Sequence, residues 1–142
     1  MLLSKSEILY QIKQWLMAWD EYNLDAVMEI MHDDVIFENW TGEIIQGKNK
    51  LRRSWIPWFR NHGNFKFSEE DIFIDEQEQK VLFQWKLDWP SMEAEYQGLK
   101  ELRRGVDVIH FLDGQIIRKY SYSKTNIQID EMQVSLCAKN SI

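Results

Sequence analysis

Asp107 is the residue whose type and setting most plainly offer chemistry. It lies in Gly105 to Leu112, GVDVIHFL, a run rich in β-branched and aromatic residues that reads as a strand. Alternation along a strand puts its side chain on the same face as Ile109 and Phe111. A carboxylate in line with two core-type residues is costly unless a partner compensates it or a reaction uses it. Two roles follow. In one, Asp107 is a general acid/base acting on a bound molecule. In the other it is half of a buried structural ion pair. Arg103 shares its parity and is then the cation in reach, whereas Arg104 has the opposite parity.

Other residues can complete such a site. Asn39 and Glu38 end a short strand, Val35 to Asn39, and point to opposite faces. Asn39 on the inner side can orient a carbonyl or a water; on the edge it satisfies turn backbone. Tyr120 and Tyr122 share parity on the strand after Asp113-Gly114. A phenol there can donate to a substrate oxygen or belong to a dimer interface. The chain holds 7 Trp, 7 Phe and 5 Tyr. Trp15, Trp19, Phe37, Trp55, Trp58, Phe59, Trp85, Leu87 and Trp89 can wall a pocket for a flat, apolar ligand, or fill an ordinary core. Among them Trp15, Trp55 and Trp85 are the chosen ligand contacts.

Several chemistries find no support. His32, His62 and His110 are scattered, and His32-Asp33-Asp34 has no metal-ligand spacing, so neither a metal nor another cofactor is expected. Nothing pairs a nucleophile with a base, and no glycine-rich run could cradle a phosphate. Lys50-Leu51-Arg52-Arg53 reads as a solvated helix face. The net charge of −6 argues against nucleic acid and anionic membrane as partners. No run approaches the roughly 18 apolar residues of a membrane helix, and the start, Met1 to Trp15, soon turns amphipathic, with no apolar run long enough for a signal peptide. The single cysteine, Cys137, excludes an internal disulfide and fits a reducing, cytoplasmic setting.

The elements that must position these residues are legible. Ser4-Lys5-Ser6-Glu7 is a capping box, followed by a helical stripe of Ile8, Ile12, Trp15, Leu16 and Trp19. Asn23 caps a shorter helix with Leu24, Val27, Met28 and Met31. Gly47 opens a third helix through Leu51, Trp55, Trp58 and Phe59, in which Pro57 predicts a kink or a break. Strands follow at Phe65 to Asp75 and Val81 to Trp89. Glu95 to Gly98 is expected to resume pairing before the long hairpin closed by Asp113-Gly114. After Thr125 the sequence has no clear period. The 142 residues make one domain, with a core at about 6–125 and a tail at 126–142. The class is α+β: a cone-shaped, curved antiparallel sheet with three N-terminal helices over its concave face.

Three stretches together resemble the SnoaL-like group of the nuclear transport factor 2 and ketosteroid isomerase superfamily. They are Trp19 to Asp25 with Met31 to Phe37, then Gly47 with the third helix, then Arg104 to Phe111 with Asp113 to Ile116 and Tyr120 to Tyr122. The resemblance spans roughly residues 6 to 125. It implies a cystatin-like α+β barrel with an internal pocket, paired as a homodimer through the sheet. Carried over position by position from ketosteroid isomerase, its protonated acid falls on Asp107, its base on Asn39 and its tyrosine on Trp15. Only one of three roles is kept. The resemblance to SnoaL-type polyketide cyclases is better, because they rest on one aspartate at a position like Asp107.

The expected function is therefore an acid/base enzyme of isomerase, cyclase or dehydratase type, acting on a small hydrophobic carbonyl compound. A variant is hydration or epoxide opening, with Asp107 and Arg103 activating a water. The competing expectation is a non-catalytic module that binds a small ligand or serves as a dimeric interaction domain.

Overall fold

The computed structural model describes residues 1–136, so Cys137 lies outside the described residues. Three helices, α1 (Lys5–Asp20), α2 (Leu24–Glu29) and α3 (Lys48–Arg60), combine with eight strands. These are β1 (Met31–Glu38), β2 (Ile44–Gln46), β3 (Lys66–Asp75), β4 (Lys80–Pro90), β5 (Lys100–Leu112), β6 (Gln115–Ser123), β7 (Asn126–Ile129) and β8 (Met132–Ser135). The sheet order is β2-β1-β6-β5-β4-β3, with β7 paired to β5 and β8 to β7. The sheet is mixed, because β1 runs parallel to β6. It curls strongly into a half-barrel, and the helices close its concave side.

Local chemistry explains the elements. The Ser4 hydroxyl accepts from the Glu7 amide at 3.1 Å, and the Glu7 carboxylate accepts from the Ser4 amide at 2.9 Å. Those bonds hold the Glu7 pKa below its ordinary value. Asn23 caps α2 through the Ala26 amide at 3.1 Å. At the β5–β6 hairpin, Asp113 and Gly114 both have positive φ, 50° and 76°. That is the backbone of a tight turn whose twist matches the flanking strands.

Three expectations are revised. α3 continues through Pro57 to Arg60 and does not break; the proline lies in the last turn, where little helix remains to be disrupted. Residues 95–98 form a turn, and pairing resumes at Lys100. After Thr125, where no period is evident in the sequence, residues 126–135 fold back as β7 and β8, burying Ile127 and Ile129.

The core holds Ile8, Ile12, Trp15 and Trp19 of α1 against Phe83, Trp85, Leu87, Ile109 and Phe111 of the sheet. Each such burial contributes about 1.5–3 kcal/mol. Gly105 has a particular place in it. A Cβ there would stand 2.3 Å from the Tyr122 carbonyl oxygen and 2.4 Å from the Trp85 ring. Gly105 faces Trp85 across β4 and β5, and its missing side chain lets the indole lie over β5. Gly105→Ala should therefore cost about 1–3 kcal/mol, read as a lower melting temperature. An unchanged melting temperature would show that the indole is not confined there.

Candidate functional site

The concave face of the sheet and the helices enclose a cavity of about 640 Å³. Its wall is largely aromatic: Trp15 and Trp19 from α1, Phe37 from β1, Trp40 beyond it, Trp55 and Trp58 from α3, and Phe67, Phe83 and Trp89 from β3 and β4. Trp19 is the hub of this wall, with ring centroids 5.1 Å from Trp55 and 5.6 Å from Trp58, in edge-on geometry that ring quadrupoles favour. The lining residues that are exposed, Thr41, Glu43, Ser54, Pro57, Asn61 and Met92, place the mouth between the 39–43 turn, the end of α3 and the loop after β4.

Away from the mouth, three buried polar side chains meet on this wall. Asp107, Lys119 and Ser121 all line the cavity and are 5%, 7% and 4% exposed. Asp107 and Ser121 are cross-strand partners, and Lys119 follows Ser121's parity on β6. The Ser121 hydroxyl donates to Asp107 Oδ1 at 2.7 Å, and the Trp85 indole N–H donates to the same oxygen at 3.1 Å. Lys119 Nζ lies 3.1 Å from Asp107 Oδ2 and donates to Ser121 Oγ at 2.9 Å. All three neighbours of Asp107 are donors, the partner set of a carboxylate. Lys119 also lies over the Phe37 ring, 4.7 Å from its centroid, and 5.9 Å from that of Trp55.

Asn39, Trp15 and Trp55 line the cavity as well. Asn39 serves its turn at the same time: its Oδ1 accepts from the Trp40 amide at 2.8 Å. Trp15 spends its indole N–H on the Val27 carbonyl at 3.2 Å, so it offers a ligand only ring surface.

The other expected site residues lie elsewhere. Trp85 stands behind the wall and acts on Asp107, not on the cavity. Arg103 is not the partner of Asp107. Its Nε donates to Glu101 at 2.9 Å, and it also reaches Glu93 at 3.5 Å and Ser123 at 3.4 Å. Water activation by an Asp107–Arg103 pair therefore has no geometry. Tyr120 lies on the outer face against His110, with ring centroids 5.6 Å apart. Burial, then the nearby Lys80 and Arg118, lower the His110 pKa from its ordinary value. Lys119, Ser121 and Trp40 are the site residues that sequence reasoning missed. Lys119 and Ser121 alternate with Tyr120 and Tyr122, so choosing the tyrosines for the inner face excluded them.

Among the described residues no group of three His, Cys, Asp or Glu side chains could hold a metal ion. No helix among them is long and apolar enough to cross a membrane.

Fold and site together define a half-barrel of the cystatin-like, nuclear transport factor 2-like class with an aromatic internal cavity. A model of the SnoaL-like domain matches residues 12–119, and the chain belongs to that family. Curated proteins give no match. Solved structures agree on the fold. An LEH-like epoxide hydrolase of M. tuberculosis is 22% identical, with a TM-score of 0.65 and 84% of each chain covered. A SnoaL-like protein of unknown function from Burkholderia thailandensis E264 is 15% identical, with a TM-score of 0.68, covering 86% of this chain and 98% of its own. An NTF-2-like protein of unknown function from Burkholderia xenovorans LB400 is 18% identical, with a TM-score of 0.64 and 84% of each chain covered.

Proposed function

We propose that the protein is an acid/base enzyme of isomerase, cyclase or dehydratase type that acts on a small hydrophobic carbonyl compound. The observation that carries this is the Asp107–Ser121–Lys119 cluster on the wall of an aromatic cavity. Asp107 removes a proton from the carbon next to the carbonyl and returns it elsewhere. The Lys119 ammonium faces the oxygen on which negative charge develops, and in an apolar cavity that attraction is stronger than in water. Asn39 orients the substrate at the mouth side. The aromatic wall excludes water and supplies most of the binding. A cytoplasmic location completes this reading and is tested by cell fractionation; recovery outside the cytoplasm would refute it.

The test is deuterium incorporation at the α-carbons of 4-phenyl-2-butanone in heavy water, followed by NMR. The wild type should accelerate it, and Ser54→Trp, which fills the mouth from an exposed position, should abolish the acceleration without unfolding the protein. Acceleration that survives the filled mouth would place the chemistry outside the cavity.

A second reading has its own support: Asp107 already has three donors within 3.1 Å, as a purely structural ion pair would. In that case the cavity holds a ligand without converting it. The ketone then quenches tryptophan fluorescence but does not exchange its protons.

The same proposal includes a homodimer through the outer face of the sheet. Phe73, Leu82, Val108 and Tyr120 form one cross-strand row there, and Phe73 is 60% exposed. Light scattering should give a dimer that Leu82→Arg converts to a monomer; a wild-type monomer at all concentrations refutes this part.

A further inference from the structure

Lys119 is the one Lys or Arg among the described residues lining the cavity. Its amine touches a carboxylate and a hydroxyl and is otherwise faced by rings. A lysine enclosed in an apolar pocket is the setting in which an amine becomes a nucleophile toward carbonyl compounds. We propose that Lys119 condenses with a hydrophobic aldehyde or ketone to form an iminium, with Asp107 moving the protons. This rests on the carbonyl-directed reading above and deepens it.

The step balances within the cluster. The Lys119 ammonium gives a proton to Asp107 Oδ2, 3.1 Å away. That transfer leaves a neutral amine beside a neutral carboxylic acid. The amine nitrogen attacks the carbonyl carbon, and Asp107 protonates the resulting alkoxide. Asp107 then takes the second proton from nitrogen and gives it to the hydroxyl. The C–O bond breaks, water leaves, and C=N forms as a cation. Asp107 ends ionised beside the iminium, as it began beside the ammonium. Ser121, bonded to both partners, holds the carboxylate and the amine in line. An iminium draws electrons from the α-carbon more strongly than the carbonyl does, so it serves the same α-proton chemistry.

The experiment is reductive trapping. The protein is incubated with benzaldehyde and sodium cyanoborohydride near neutral pH, and its peptides are mapped by mass spectrometry. One benzyl group should appear on Lys119 at least about tenfold faster than on exposed lysines such as Lys13, because the cavity positions the aldehyde. Lys119→Arg, which keeps a cation beside Asp107, should lose that label. Ser54→Trp should lose it with the ion pair untouched. Labelling of exposed lysines in preference to Lys119, or an unchanged Lys119 rate with the mouth filled, overturns the proposal. Wild type that deuterates the ketone while Lys119 resists trapping overturns the iminium and leaves acid/base catalysis standing. Trapping at Lys119 without any deuteration refutes the acid/base reading and supports the amine's reactivity.

Discussion

Lys119→Met should lower the melting temperature by on the order of 10 °C, and the double variant Asp107→Leu/Lys119→Met should recover most of that loss. The two side chains are 9% and 7% exposed and meet at 3.1 Å. Removing either partner leaves a buried charge uncompensated, which costs about 3–5 kcal/mol. For a domain of this size each kcal/mol corresponds to roughly 3 °C. Replacing both with apolar residues removes the two charges and their desolvation together, which is often neutral or stabilising. Thermal unfolding of the four proteins in the cycle measures the coupling directly. A double variant no more stable than the worse single variant would mean that these residues do not act as a pair. Recovered stability without activity would show that the pair is kept for chemistry and not for folding.

Glu101→Leu should cost a similar amount, about 3 kcal/mol, at the lower end because Glu93 remains near. Glu101 is fully buried and Arg103 is 2% exposed. The carboxylate is also the acceptor for the Ser91 hydroxyl at 2.9 Å and for the Trp89 indole. Losing it therefore strands a guanidinium and releases two donors at once. Trp89 and Glu93 line the cavity, so ligand affinity should fall with stability. Arg103→Leu in the same background should restore the melting temperature while Trp89 stays unanchored and affinity stays low. Affinity that returns together with stability would mean that Glu101 shapes the fold and not the mouth.

The helices were legible because their signals are local. Ser4 and Glu7 cap α1 through bonds only three residues apart, and Asn23 starts α2 in the same manner. The hairpin was legible for the same reason: Asp113-Gly114 is a two-residue turn with a fixed backbone. The inner face of β6 was not legible. A straight register through that turn pairs Asp107 with Tyr120. The ladder shifts by one residue between His110 and Phe111, and Asp107 pairs with Ser121. A one-residue shift turns every side chain of a strand to the other face. It put Lys119 and Ser121 in the cavity and Tyr120 outside. Arg103 was misassigned because parity gives the face but not the partner. It shares Asp107's face, but Glu101 is two residues away on that face and takes the guanidinium instead. The β7–β8 hairpin escaped notice because its strands have four residues each, too short for a period to emerge.

The central claim is that Asp107 performs proton transfer in an aromatic cavity. Its most direct test is the rate at which Asp107→Asn deuterates 4-phenyl-2-butanone, measured well below that variant's melting temperature. Asparagine keeps the size and the acceptor oxygen for Trp85 and Ser121 but cannot take the proton. The account predicts a loss of about a hundredfold or more in protein that remains folded. An unchanged rate in folded Asp107→Asn protein contradicts it.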